Sequence, residues 1–193
     1  MGPASDLKER IVYSMSKKVL ILQGSPRKNG NCDILCEQFA KGAKEVGHEV
    51  EIVRVAEKKI GYCMACNACK VNGGACVQKD DMAELRDKMA ACDVLVLASP
   101  VYYYSISAQI KTVIDRCYVK YDDFAGKEMY YILTSAVKDA EKQMRSVECF
   151  RGFRDCIDGA VEKGIIHGVG VWEKGDVKAA AAMDEAYEMG KTV

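Results

Sequence analysis

Short apolar runs alternate along the chain with longer stretches of helical period. The first run, Val19-Leu20-Ile21-Leu22, opens into a turn-rich stretch, Gly24-Ser25-Pro26-Arg27-Lys28-Asn29-Gly30-Asn31. After it, Ile34, Leu35, Phe39 and Ala43 recur near a helical spacing, and Gly47 reads as the stop. Val50 to Val55 alternates apolar with polar residues, as a half-exposed edge strand does. Val94-Leu95-Val96-Leu97-Ala98 is apolar without a break, the pattern of a central parallel strand covered on both faces. Further strands are predicted over 128–133 and 165–172. Helices are predicted from Asp80 or Asp81 onward, over Ile106 to Cys117, over 139–163 with Gly164 as the stop, and over 176–190.

Five strand–helix units without an internal linker imply a mostly parallel sheet with helices on both faces. Ligands of such sheets lie beyond the carboxyl ends of the strands, where the strand order reverses. That points to the loops 24–31, 100–105 and 134–138, which follow the first, third and fourth strands.

The first of these loops has the chemistry of an anion site. A strand-to-helix turn presents free backbone N–H groups at the positive end of a helix dipole. Ser25 adds a hydroxyl, Arg27 a forked cationic donor and Asn31 an amide, while Gly24 and Gly30 allow close backbone approach. Neither the G-K-[ST] ending of a P-loop nor a G-x-G-x-x-G pattern is present. An ordinary strand–helix turn is the competing reading.

Between the second and third strands, Cys63, Cys66, Cys69 and Cys76 place four thiols within fourteen residues. Four thiolates so spaced suit an iron–sulfur cluster or tetrahedral zinc. The remaining cysteines, among them Cys36, Cys92, Cys117, Cys149 and Cys156, fall in or beside helices and read as packing residues. His48 and His167 read as surface or core residues. Asp80 and Asp81 read as a helix cap, and Lys111, Asp115 and Arg116 as solvated or interface contacts on one helix.

Length and charge add limits. A chain of 193 residues is about one domain, here an N-terminal extension over 1–17 followed by a domain over 18–193. Residues 1–16 could form a short amphipathic helix through Leu7, Ile11 and Val12. Lys plus Arg and Asp plus Glu both number 28, so a zero formal charge argues against a nucleic-acid binder. No apolar run approaches membrane-spanning length and the first residues carry no secretory pattern. The expectation is a cytoplasmic protein with reduced thiols, without a membrane partner.

Gly-Ser-Pro-Arg-Lys-Asn-Gly-Asn at 24–31, together with Ser99-Pro100-Val101-Tyr102, Ser105, Ala108, Lys111 and Ile114-Asp115-Arg116, resembles the NAD(P)H-dependent FMN reductase family of the flavodoxin-like superfamily. The resemblance spans about residues 18–190 and implies a three-layer α/β sandwich with a five-stranded parallel sheet in the order 2-1-3-4-5. It implies that Ser25, Arg27, Asn31 and Cys32 hold the FMN phosphate, although Cys32 stands where the family usually carries Thr or Ser. It implies that Pro100, Val101, Tyr102, Tyr103 and Ser105 border the flavin ring. Ser135, after the fourth strand, is a further candidate for a ring or substrate contact. The cysteine spacing resembles that of the iron–sulfur flavoproteins, which implies a [4Fe–4S] cluster on Cys63, Cys66, Cys69 and Cys76. Related reductases also keep such cysteines as free thiols.

The implied activity is transfer of electrons from NAD(P)H through FMN to a quinone, flavin, metal or small organic acceptor. The alternatives are an electron carrier with FMN and a cluster, for which ferredoxin is a partner, and a zinc-stabilised interaction module without flavin. The family also implies a homodimer or homotetramer. No acid–base residue is implied.

Overall fold

The computed structural model of the protein describes residues 16–193. The extension expected over 1–17, and the helix within it, therefore lies outside the described residues except for its last two positions. The described chain forms one five-stranded, fully parallel sheet in the order β2-β1-β3-β4-β5. The strands are β1 (Lys18–Gln23), β2 (Glu49–Arg54), β3 (Val94–Pro100), β4 (Glu128–Thr134) and β5 (Val161–Gly168). The helices are α1 (Asn31–Glu45), the single turn α2 (Ala68–Val71), α3 (Met82–Ala91), α4 (Ala108–Arg116), α5 (Met144–Arg154) and α6 (Ala182–Lys191).

Residues alternate across each strand, and the two sheet faces build two cores. Val19, Ile21, Val96, Tyr130 and Ile132 meet α1 and α6 on one face. Leu20, Leu22, Leu95, Leu97, Tyr131 and Leu133 meet α3, α4 and α5 on the other. The central β3 is buried at every position, whereas β2 is exposed or half-exposed at most of its positions, in accord with their sequence patterns. Helices α1 and α6 touch backbone to backbone: a methyl group at Gly42 would overlap the Tyr187 carbonyl oxygen, and one at Gly190 the Phe39 carbonyl oxygen. That contact fixes α1, and with it the loop that enters α1, against the sheet.

The fourth connection departs from the expected one. The helix expected over 139–163 is a short 3₁₀ turn, Ala140–Gln143, followed by α5, which ends at Arg154. A turn at Asp158-Gly159 then starts β5 four residues earlier than expected, and Gly159 takes φ +66° there. Gly164, expected as the helix stop, lies inside β5, where a Cβ would collide with the Met189 sulfur of α6. Its glycine serves close packing of a helix on a strand, which sequence period does not distinguish from a stop.

His48 is buried and its ring bridges the Lys17 amide (Nδ1, 3.1 Å) and the Val193 carbonyl (Nε2, 2.9 Å). His167 Nδ1 meets Gln143 Oε1 at 2.7 Å, and burial pushes its pKa down. Both histidines are used in packing. Cys36, Cys92 and Cys117 are buried as expected, and burial raises each thiol, that of Cys92 to about 11. Cys156 is the exception, because it is exposed.

Candidate functional site

The carboxyl ends of β1 and β3 are adjacent, so the loops after them meet at the point where strand order reverses. Gly24 N donates to the Ala98 carbonyl (2.8 Å), the Ser107 hydroxyl to the Gly24 carbonyl (2.7 Å), and Ser107 N to Ser99 Oγ (2.8 Å). A side chain at Gly24 would strike Ile110 and Ser107, so glycine permits this junction. The loop after β4 joins the same rim: Val101 N donates to the Thr134 carbonyl, and Ser135 N to the Gly168 carbonyl, both at 2.8 Å. The three loops chosen from sequence are thus one continuous edge.

Helix α1 begins at Asn31, and Gly30 before it leaves its start without a side-chain cap. A fifteen-residue helix with an uncapped start presents bare N–H groups and a positive dipole end. Ser25, buried, accepts from Arg27 N at 3.2 Å. The Arg27 side chain is exposed and donates through Nη1 to the Trp172 carbonyl at 3.0 Å. Cys32 is buried in the α1 face of the core. Asn31 has a second occupation that its sequence position did not reveal. Its amide donates to the Glu173 carbonyl (2.9 Å) and its carbonyl accepts from Gly175 N (2.9 Å) and Val177 N (3.3 Å), so it holds the segment before α6 beside the cradle. Just before the loop, the fully buried Gln23 amide has no hydrogen-bond partner at either end among the described residues. The uncapped helix start, the Ser25 hydroxyl and the Arg27 guanidinium fit a phosphate.

The loop after β3 is a tight reversal. Tyr102 N donates to the Ser105 carbonyl (2.9 Å) and Ser105 N to the Tyr102 carbonyl (3.0 Å), leaving Tyr103 and Tyr104 at the tip. Both adopt positive φ, +50° and +58°, and the Tyr103 side chain is entirely exposed. Two tyrosines in the left-handed region store strain of the order of 1–3 kcal/mol each, and such strain clusters at ligand sites. Pro100 is buried, Val101 half-buried, and Arg145 lies over the Tyr104 ring at 5.6 Å. Ser105 Oγ lies 3.7 Å from Cys149 Sγ, which ties the loop to α5. Ser135 is buried; its hydroxyl donates to the Val137 carbonyl (3.1 Å) and accepts from Gln143 Nε2 (2.8 Å). Tyr103→Gly is expected to keep or raise the melting temperature while weakening flavin binding; differential scanning calorimetry and a flavin titration check both directions. A fall in stability with unchanged affinity would remove the tip from the site.

The four-thiol loop packs against α4 and the residues after it. Cys63 and Cys66 are exposed, Cys69 and Cys76 half-buried. Cys63 faces a mainly apolar groove of about 930 Å³ together with Tyr118, Tyr121, Phe153, Cys149 and Cys156. Cys76 lies instead beside Arg116, whose Nη2 donates to its sulfur at 3.5 Å. Among the described residues no three Cys, His or acidic side chains are gathered as metal ligands. The donor chemistry suits an iron–sulfur cluster, but the described arrangement of the thiols does not. Arg116, expected as a solvated or interface contact, is instead buried within the chain and paired with Asp80, whose carboxyl it holds below the usual range. Asp80 also accepts from Met82 N at the start of α3, so the expected capping role is joined to an ion pair.

Residues 17–150 match the model of the NADPH-dependent FMN reductase family. The chain belongs to that family. Within it, the chain is 46% identical over 99 residues to an iron–sulfur flavoprotein of Archaeoglobus fulgidus, covering 51% of this chain and 44% of that protein. An iron–sulfur flavoprotein of Methanosarcina thermophila is 38% identical over 99 residues, 51% of each chain. The chain spans about half the length of the curated relatives it matches. The fold is shared with the NAD(P)H:quinone oxidoreductase of Methanothermobacter marburgensis (TM-score 0.70, 17% identity, 92% of this chain and 97% of that one). It is also shared with an FMN-dependent NADH-azoreductase of Bacillus anthracis crystallised with FMN (TM-score 0.69, 15% identity, 91% and 98%). The FMN reductase assignment agrees with the sheet order 2-1-3-4-5 and with the paired loops after β1 and β3. Among the described residues no helix is long and apolar enough to cross a membrane.

Proposed function

We propose that the protein binds FMN at the β1/β3 edge and works as an NAD(P)H-dependent oxidoreductase. The observation that carries this reading is the uncapped start of α1, with Ser25 and Arg27 beside it, joined directly to the strained tyrosine turn. In this reading Ser25, Arg27 and the first-turn amides, among them those of Asn31 and Cys32, take the phosphate. Asn31 itself keeps the segment 173–177 in place, so its contribution is through that wall. Pro100, Val101, Tyr102, Tyr103 and Ser105 border the ring, with Ser135 at the far rim. Backbone N–H groups can meet the polar edge of the ring, and the tyrosines can cover its apolar face. FMN, when bound, supplies hydride and electron transfer between the nicotinamide cofactor and an acceptor such as a quinone, flavin, metal or small organic molecule. The protein contributes binding, orientation and exclusion of water. The exposed aromatic tip and the exposed residues Tyr62, Met64 and Val71 of the cysteine loop suit burial in a homodimer or homotetramer.

A second reading, an electron carrier with FMN and a [4Fe–4S] cluster and a ferredoxin-like partner, is favoured by the thiol spacing and by the names of the relatives. Among the described residues the thiols are not gathered as a set of ligands, which speaks against it, so no electron path is drawn through the loop. Anaerobic purification followed by absorption spectroscopy and assays of FMN, iron, acid-labile sulfide and zinc separates the readings. The expected result is one FMN per chain after reconstitution, with NAD(P)H bleaching the flavin. Absence of flavin would overturn the proposal, and zinc without flavin would support an interaction module. Stoichiometric iron and sulfide, lost in Cys66→Ser while FMN is retained, would establish the carrier.

A further inference from the structure

The sequence places Arg116 at the end of an amphipathic helix, where an arginine is normally solvated. Here its side chain is only 2% exposed. A buried guanidinium is costly unless its donors are satisfied; the partners of its two terminal nitrogens show what the burial accomplishes, while its buried Nε has no partner among the described residues. Asp80 takes both arms of the fork, Oδ2 from Nη1 at 2.7 Å and Oδ1 from Nη2 at 3.0 Å. Nη1 also donates to the Gly61 carbonyl (2.7 Å) and to Gln78 Oε1 (3.3 Å), and Nη2 to Cys76 Sγ (3.5 Å). Asp80 Oδ2 in turn accepts from Gly61 N at 2.9 Å. Gly61 and Asp80 are the two ends of the cysteine loop, nineteen residues apart, and one ion pair closes them.

Two further contacts hold the middle of the loop to the same segment. Lys70 donates to the Tyr118 carbonyl at 3.0 Å and lies over the Tyr118 and Tyr121 rings at 4.1 and 5.4 Å. Gly74 approaches the Lys120 side chain so closely that a Cβ would collide with it. The opposite end of α4 holds Ser107, which fastens the loops after β1 and β3. One helix of nine residues, about 14 Å long at 1.5 Å per residue, therefore carries the phosphate and tyrosine loops at one end and the cysteine loop at the other.

We propose that Arg116 is the positioning residue of the cysteine loop: it closes the base of residues 61–80, sets the direction of Cys76, and registers both against the helix that fixes the flavin loops. The relevance to the flavin centre rests on the proposed function; the positioning itself does not. A lysine cannot replace the fork, because its single ammonium lacks the planar pair of donor arms that meets both carboxylate oxygens while also reaching a carbonyl and a thiol.

The test uses the full chain and its Arg116→Gln, Arg116→Lys and Asp80→Asn variants. Hydrogen–deuterium exchange reads the loop, and labelling with an uncharged maleimide followed by mass spectrometry reads Cys76 against Cys63 in the same molecule. In Arg116→Gln, amides within 61–80 are expected to exchange at least ~10-fold faster and Cys76 to label several-fold faster relative to Cys63. Amides of β1 and β3 should keep their protection, and FMN affinity should stay within about twofold. Arg116→Lys should restore part of the protection near Asp80 while Cys76 stays open. Should Arg116→Gln fail to fold, Asp80→Asn, which keeps the guanidinium, must show the same loosening confined to the loop. Unchanged loop exchange and an unchanged Cys76 to Cys63 ratio would overturn the proposal. So would loss of protection spread evenly over the sheet, or full rescue by lysine. Failure of the parent protein to bind FMN would refute the proposed function and leave this reading to stand on the exchange data alone.

Discussion

Arg27→Ala is expected to weaken FMN binding by about 10- to 150-fold, the equivalent of one lost charged hydrogen bond of ~1.5–3 kcal/mol. Arg27 stands exposed beside the uncapped start of α1, and among the described residues only Nη1 of its guanidinium is engaged, by the Trp172 carbonyl. An arginine carries five N–H donors, so it can keep that contact and still meet a phosphate. The variant removes both interactions, and a control separates them. Riboflavin lacks the phosphate, so its affinity should change little in Arg27→Ala. Titration of both flavins by fluorescence quenching gives the two numbers. Equal losses for FMN and riboflavin would assign Arg27 to the wall formed by 172–177 instead of to the phosphate. Arg27→Lys is expected to fall between, since it keeps the charge without the fork.

Phe39→Ala is expected to lower the unfolding free energy by about 3–5 kcal/mol. Phe39 is fully buried on α1 and meets Tyr130 of β4 edge-on, with ring centroids 5.2 Å apart. The site has little room to collapse, because the next turn of α1 is locked against α6 at Gly42 and Gly190. A cavity should therefore persist, and its cost adds to the lost transfer energy. For a domain with a typical stability of ~5–15 kcal/mol this is a large fraction. Urea unfolding followed by circular dichroism measures it. Because α1 also carries the anion cradle, saturating FMN should raise the stability of the variant by mass action, as it does for the parent. A loss below about 1.5 kcal/mol would mean that α1 settles onto the sheet, and flavin affinity should then fall with it.

The order and type of the elements were legible because each core strand carries its burial in its own pattern. Val94 to Ala98 is apolar throughout and lies at the centre of the sheet; Val50 to Val55 alternates and lies at its edge. The loops after β1, β3 and β4 could be chosen because their position follows from parallel topology. The fourth connection was not legible. Gly164 and Gly159 are the same residue type, yet one admits Met189 to the face of β5 and the other makes the turn. Nor did the sequence disclose the split roles of Asn31 and Asp80, since both depend on partners far along the chain, Glu173 to Val177 for one and Arg116 for the other.

By itself, then, the sequence determined the α/β class, the strand order implied by its family resemblance, and an anion loop of glycine, serine and arginine at 24–31. These follow from local period and from residue chemistry, which neighbours in sequence already express. Only the tertiary structure decided that three loops share one rim, that two tyrosines are held in a strained turn, and that Arg116 is buried under the cysteine loop. It also decided that Cys63 and Cys76 face different surroundings, although their spacing suits a single centre. Spacing along a chain limits how far apart two side chains can be; the direction in which each points is set by the ion pairs and packing contacts that distant residues supply.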